Sequence, residues 1–219
     1  NEEIAGEYVT NVRGFILIVS VACLMAWGAS VTFCADESST REYQLKAAFL
    51  YNFIMFVDNK RFHRTERDAG QEDSDPNESI RIGILGKDPF GGAFSPLEHQ
   101  RVRNRSVLIQ RFRGLDEFAD EEGREPRRHP ELERIRECHV LFICPSEREH
   151  LPALLGPIHQ DSLLTVGDSP GFLEAGGIIN FLIEDKKVHF EINTAAARRA
   201  RLQIRSKLLR LAKRVVTHD

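Results

Sequence analysis

Phosphate chemistry is the first candidate, because RIGILGKDPFGG, residues 81 to 92, runs from an apolar stretch into glycines and a lysine. The spacings that cradle a phosphate are G-x-G-x-x-G after a strand and G-x-x-x-x-G-K-[ST], each of which aims backbone N–H groups at the anion from a helix N-terminus. Neither is present. Asp88 and Pro89 stand where a further glycine or an N–H donor is needed, and Lys87 precedes Asp88 rather than Ser or Thr. The stretch therefore reads as a strand ending in a Pro/Gly turn.

No nucleophile stands in a recognisable setting, since neither G-x-S-x-G nor H-E-x-x-H occurs. Cys138 and His139 open CHVLFIC, and as strand neighbours they face opposite ways, a poor geometry for a thiolate–imidazole pair. The same alternation turns His139 away from Cys138 and Cys144, so no metal site is expected. On a straight strand the two cysteines stand about 20 Å apart, well beyond the roughly 7 Å that a disulfide allows. Either the chain folds back through Pro145 and joins them as a disulfide or redox pair, or both are buried free thiols. Asp58, Asp88, Asp168 and Glu191 lie near apolar runs and would suit acid/base chemistry if two of them met in space. No catalytic, cofactor-binding or metal-binding residue is assigned, and no cofactor is expected.

These residues need elements to hold them. An apolar fraction of 42% over 219 residues supports one domain with an ordinary core. Arg13, the apolar run Phe15 to Trp27, and the small or weakly polar residues after it follow the order of a secretory signal. A run this short spans a bilayer poorly, since crossing takes about 20 residues. Residues 1–35 are expected to be a cleaved leader and 36–219 the exported domain, in a compartment where disulfides persist.

A capping box, Ser39-Thr40-Arg41-Glu42, predicts a helix over 41–57. Leu45, Ala48, Phe49, Phe53 and Phe56 form its apolar face, and Tyr51, Ile54 and Met55 make a second one, which allows a homodimer or another partner there. Residues 64–79 read as a polar loop. Strands are expected at 80–85, 106–112, 140–143 and 163–168, with a charged insertion between the second and third that ends in a short helix. IINFLI and KVHFEIN, joined through Glu184 to Lys187, read as a hairpin. The fold expected is α/β, a mainly parallel sheet flanked by helices, with a C-terminal β-hairpin and a long C-terminal helix over 194–216.

That last segment carries the strongest charge signal. Arg198, Arg201 and Arg205 belong to a run of cations unbroken by any acid before Asp219, which reads either as a solvated face over an ordinary core stripe or as candidate contacts for an anionic partner or lipid surface. Nucleic acid is disfavoured by the leader and by a net charge of −3.

YQLKAAFLYNFIMFV, IRIGILGKDPFG, ECHVLFI, the long run from Leu163 through Ala200, and IRSKLLRLA together resemble the YfiR family of periplasmic proteins. The resemblance covers about Arg41 to Ala212. It implies a non-enzymatic periplasmic regulator that represses a membrane-bound diguanylate cyclase, or a related sensor kinase, through its periplasmic sensor part. Redox state and an outer-membrane lipoprotein are inputs to that system, and the stretch from Gly83 to Gly91 has no nucleotide role in the family. Cys138 matches the family's commonest cysteine. The chain departs from the pattern at Asp58-Asn59-Lys60, where Trp-Pro is usual, and at Arg201, where Gly is usual. Alternative readings are a small-ligand sensor with a pocket near Gly91-Gly92 and Gly176-Gly177, and an enzyme whose acid pair is assembled only by the fold.

Overall fold

IRIGIL, VLFI and LTVG are short, branched and apolar, as strands covered on both faces must be, and each becomes an inner strand of one sheet, while the more polar VLIQRF, with Leu108 45% exposed, becomes its edge. The computed structural model describes residues 36–59, 61, 79–96 and 100–217. The expected leader and all of the expected polar loop except Ser79 lie outside these residues. The strands are β1 (Val57–Asp58), β2 (Ile80–Leu85), β3 (Val107–Phe112), β4 (Val140–Ile143), β5 (Leu164–Gly167), β6 (Ile179–Glu184), β7 (Lys187–Asn193), β8 (Gln203–Ile204) and β9 (Arg214–Val216). Seven form the main sheet in the order β3-β2-β4-β5-β6-β7-β9, while β1 pairs with β8. Strands β2 to β6 are parallel, β7 runs antiparallel to β6, and β9 runs parallel to β7.

Helix α1 (Asp36–Phe56) covers one face. It begins upstream of the expected capping box, so Ser39 lies inside the helix and Glu42 bonds forward to Lys46. Tyr51 and Ile54 are buried with the first apolar face, whereas Leu45 and Met55 are 46% and 43% exposed. Phe53 stacks on Phe181 and meets Phe190 edge-on, and Phe90 lies edge-on to Phe142. Helices α2 (Leu132–Arg136) and α3 (Leu151–Leu155), with Phe172 and Leu173, build the core of the opposite face. The β2–β3 connection contributes Phe90, Phe94 and Val102 to the α1 side, while the connections leading rightward through α2 and α3 lie on the other side. Opposite faces for opposite directions are what right-handed crossovers require, and they place a topological switch point between β2 and β4.

The hairpin forms as expected, with Asp185 and Lys186 at φ 49° and 60° in its two-residue turn. The expected long C-terminal helix does not form. Asn193 does cap a helix, its Oδ1 accepting from the Ala196 N–H at 2.9 Å, but that helix, α4 (Thr194–Arg199), has only six residues. The chain then makes β8, a single helical turn α5 (Ser206–Leu209), and β9. The break is at Arg201, whose φ is +57°. Its N–H bonds the Arg198 carbonyl and the Leu202 N–H bonds the Ala197 carbonyl, the paired bonds of a Schellman stop. Pairing of Val57 with Ile204 and of β9 with β7 then takes backbone groups that a continuous helix would have bonded internally.

An L-residue in this left-handed conformation costs about 1 kcal/mol or more relative to glycine. Arg201→Gly is therefore expected to raise stability by about 1 kcal/mol, a rise of some 2–4 °C in melting temperature for a domain of this size. Thermal unfolding of the two proteins checks it.

Candidate functional site

In open α/β sheets ligands bind where connections diverge, beyond the carboxyl ends of the strands. Here that crevice is filled by the chain's own Glu147, which is 1% exposed. Its carboxylate accepts from the Leu115 N–H at 2.9 Å and from Ser146 Oγ at 2.8 Å, and Ser146 Oγ also accepts from the Lys87 N–H. The loops after β2 and β3 admit it because they carry glycines. A Cβ at Gly86, whose φ is +98°, would lie 2.6 Å from Glu147 Oε1, and one at Gly114 would lie 2.5 Å away. The position an anionic ligand takes in related architectures is thus held by an internal carboxylate. The GKDPFG stretch is a strand end and turn, as its spacing indicates.

Next to it, at the carboxyl ends of β4 and β5, lies a buried polar cluster. Lys46 is fully buried and holds Asp168 at 2.5 Å and Glu42 in a shorter contact, while Tyr43 donates to Asp168 at 3.0 Å. Burial and then the Asp168 carboxylate hold the Tyr43 hydroxyl far above the usual phenol range. From Ser169 a second chain of bonds runs outward, with the Ser169 N–H bonded to Asn180, Asn180 to Glu191, and Glu191 to Arg214. The polar face of β7 is therefore covered, with Glu191 and Asn193 buried. Asn193 Nδ2 also holds the Leu173 carbonyl, which ties the segment from Asp168 to Gly177 to the sheet.

Phe172 anchors the same segment from below. Its ring lies between Gly167 and Gly177, where a Cβ would fall 2.3 Å and 2.1 Å from ring carbons. Above it opens a cleft of about 390 Å³ lined by Leu173, Glu174, Gly176, Asn193, Arg199 and Arg214.

The four candidate acids do not meet one another; each faces a cation on another element. Asp58 accepts from Arg103 and Arg205, Asp88 from Arg111, Asp168 from Lys46, and Glu191 from Arg214. The two guanidinium donors, Arg205 first, hold the Asp58 carboxyl down at about 2. Arg103 caps α1 as well, donating to the Ile54 and Val57 carbonyls. Asp58 is one of the departures from the family pattern, and the arginines that answer it come from distant segments.

Cys138 and Cys144 are both free and buried. Alternation fails at His139, so Cys138 enters the core on the α2 side and Cys144 the core on the α1 side. In this conformation the body of β4 separates them. Burial pushes the Cys138 thiol up to about 12 and the Cys144 thiol higher still, where Asp88, Glu147 and Asp168 add to the effect. Protonated and enclosed thiols are poor nucleophiles. Alkylation of the folded chain is expected to leave both unmodified until denaturant is added, and mass-spectrometric mapping checks this.

His139 is buried, its Nδ1 accepting from the Arg81 N–H at 3.1 Å with Arg105 beside its Nε2. Burial, then the Arg105 and Arg61 charges, push its pKa down to about 3. The folded chain therefore keeps the ring neutral where the unfolded chain protonates it. Stability is full above about pH 6.5 and falls as pH drops toward 3, by up to about 1.4 kcal/mol per unit. Asp58 adds a smaller loss, about 1 kcal/mol for a surface node, as pH falls from about 4 through 2. His139→Gln is expected to flatten the slope between about pH 6.5 and 4, read from denaturant midpoints across that range.

The candidate anion contacts separate. Arg205 is engaged by Asp58 at 2.7 Å and 3.0 Å, Arg198 is exposed and donates to the Thr217 carbonyl, and Arg201 is exposed with its side chain unpaired among the described residues. Lys46 and Glu147 were missed from sequence. Lys46 did leave a signal, since it shares the helical face of Phe49, Leu50 and Phe53, where a lone charge needs a buried partner. Glu147 left none, because the residues that enclose it, Gly86 and then Gly114 and Leu115, come from two other loops. Among the described residues no His/Cys/Asp/Glu group could hold a metal ion, and no helix is long and apolar enough to cross a membrane.

Residues 43–213 match the model of the family described as YfiR/HmsC-like (DUF4154). No curated protein matches the sequence. Among solved structures, a conserved domain protein from Vibrio cholerae O1 biovar El Tor strain N16961 is similar at 8% identity and TM-score 0.49, over 79% of this chain and 60% of that one. The ABC domain in complex with L-Trp from Streptococcus pneumonia is similar at 11% identity and TM-score 0.43, over 65% of this chain and 57% of that one. The chain thus spans about three fifths of the length of each.

Proposed function

Because the chain belongs to the YfiR/HmsC-like family, we propose that it is an exported, non-enzymatic regulator that binds the periplasmic sensor part of a membrane signalling protein and represses it. The target is a diguanylate cyclase or, in the same role, a sensor kinase. The family match over residues 43–213 carries this reading. The geometry supports it: the switch-point crevice is filled by Glu147, the four acids are matched to cations, and both thiols are held protonated. An outer-membrane lipoprotein is a second partner within this reading, and the exposed Leu45 and Met55 on α1 would serve a homodimer.

Deleting the gene in its host and measuring cyclic-di-GMP tests the cyclase form of the proposal. A rise reversed by the intact gene is expected; an unchanged level overturns it. One observation favours a second reading, a small-ligand sensor. The cleft beside Gly176 lies at one of the two glycine-rich turns expected to hold a ligand, and a thermal shift against a metabolite panel would reveal an occupant.

A further inference from the structure

We infer that Arg201, Lys207 and Arg210, together with Leu211, form the surface that meets an acidic face of the partner protein. The inference rests on the regulator reading and deepens it by naming a surface and its chemistry. From Arg198 to Arg214 the sequence has eight cations and no acid. The fold sorts them. Arg205, Lys213 and Arg214 are matched by Asp58, Glu184 and Glu191. Arg201 and Arg210 are exposed and face no carboxylate among the described residues, and Lys207 only lies over the Phe56 ring at 5.4 Å. Uncompensated positive charge on one short stretch is complementary to carboxylates, and arginine recognises them bidentately.

Two further observations sharpen the choice. Of the five non-glycine residues at positive φ among the described residues, Arg103 and Asn104, and Asp185 and Lys186, form two-residue turns; Arg201 alone of these ends a helix, at a position where glycine removes the strain. Backbone strain kept at an exposed cation points to use of that side chain. Leu211 is 63% exposed beside Arg210, an apolar contact framed by charge, as in the centre of a protein interface. A lipid surface fits less well. An interfacial segment inserts an apolar face, and here Ala197, Ala200, Leu202 and Leu208 are all buried in the core.

The test places a photoreactive benzoylphenylalanine at position 201 or 210 of the full chain in its own host, with position 108 on the far sheet edge as control, and maps the cross-linked peptides. A membrane-protein peptide rich in Asp and Glu is expected. Its yield from position 201 should fall about tenfold with Arg210→Glu, since like charges then meet. Arg201→Gly should weaken capture through position 210 while melting higher than the parent, which excludes unfolding as the cause. Cross-links to lipid, to a peptide without an acidic cluster, or none at 201 and 210 overturn the proposal. If deletion still raises cyclic-di-GMP, the regulator reading survives that failure; an unchanged level together with absent cross-links overturns both the inference and the cyclase form of that reading.

Discussion

Lys46→Ala is expected to cost the fold about 3–5 kcal/mol, because it leaves carboxylates without their cation at a buried site. Lys46 lies on the packed face of α1, and Asp168 directly follows β5, so their 2.5 Å contact fastens the helix to the carboxyl edge of the sheet. Its methylenes also run among aromatic rings, with the ammonium 4.4 Å from the Tyr43 ring centre and 5.9 Å from that of Phe181. Lys46→Met combined with Asp168→Asn should cost less than Lys46→Ala alone, since it removes the charges together and keeps the side-chain volume. Urea unfolding of the three proteins decides it. A single-substitution loss under about 1 kcal/mol would show that water reaches the pair.

Gly177→Ala should be nearly as damaging, at about 3 kcal/mol, the upper end of overpacking costs. The added methyl would lie 2.1 Å from the Phe172 ring, and Gly167 closes the other side of that ring. Phe172 is fully buried and has no room to turn aside. Phe172→Ala alone should cost about 3–5 kcal/mol by leaving a cavity. In Gly177→Ala with Phe172→Ala the methyl meets empty space, so the pair should cost no more than Phe172→Ala alone. Additive losses would place the strain in the Gly177 backbone instead of in the contact with the ring. The same substitutions should loosen the segment that carries Glu174 and lines the cleft.

The parallel strands and the hairpin were legible because their cause is local. Ile80, Ile82 and Ile84 face one layer, and Val188, Phe190 and Ile192 alternate with His189, Glu191 and Asn193, as sheet geometry demands whatever lies elsewhere in the chain. The strand end and turn at Gly83 to Gly92 followed from their spacing alone. The resemblance to the family, now matched over residues 43–213, rested on motifs whose order is visible in one dimension.

What the tertiary structure decided are the places where distant segments meet. The C-terminal stretch has helical periodicity and contains neither glycine nor proline, yet it breaks after Arg199, because Val57 pairs Ile204, Asp58 holds Arg205, and β7 takes β9 as its neighbour. Those bonds outweigh a helix propensity worth only tenths of a kcal/mol per residue. Cys138 and Cys144 fall on opposite faces because the chain bends at His139, a turn that strict alternation does not foresee. Glu147 fills the crevice only because Gly86, Gly114 and Leu115 arrive from two other loops. By itself the sequence determined the periodic elements and the family, since those depend on neighbours along the chain; pairing of charges and closure of the crevice depend on neighbours in space, which only the folded chain supplies.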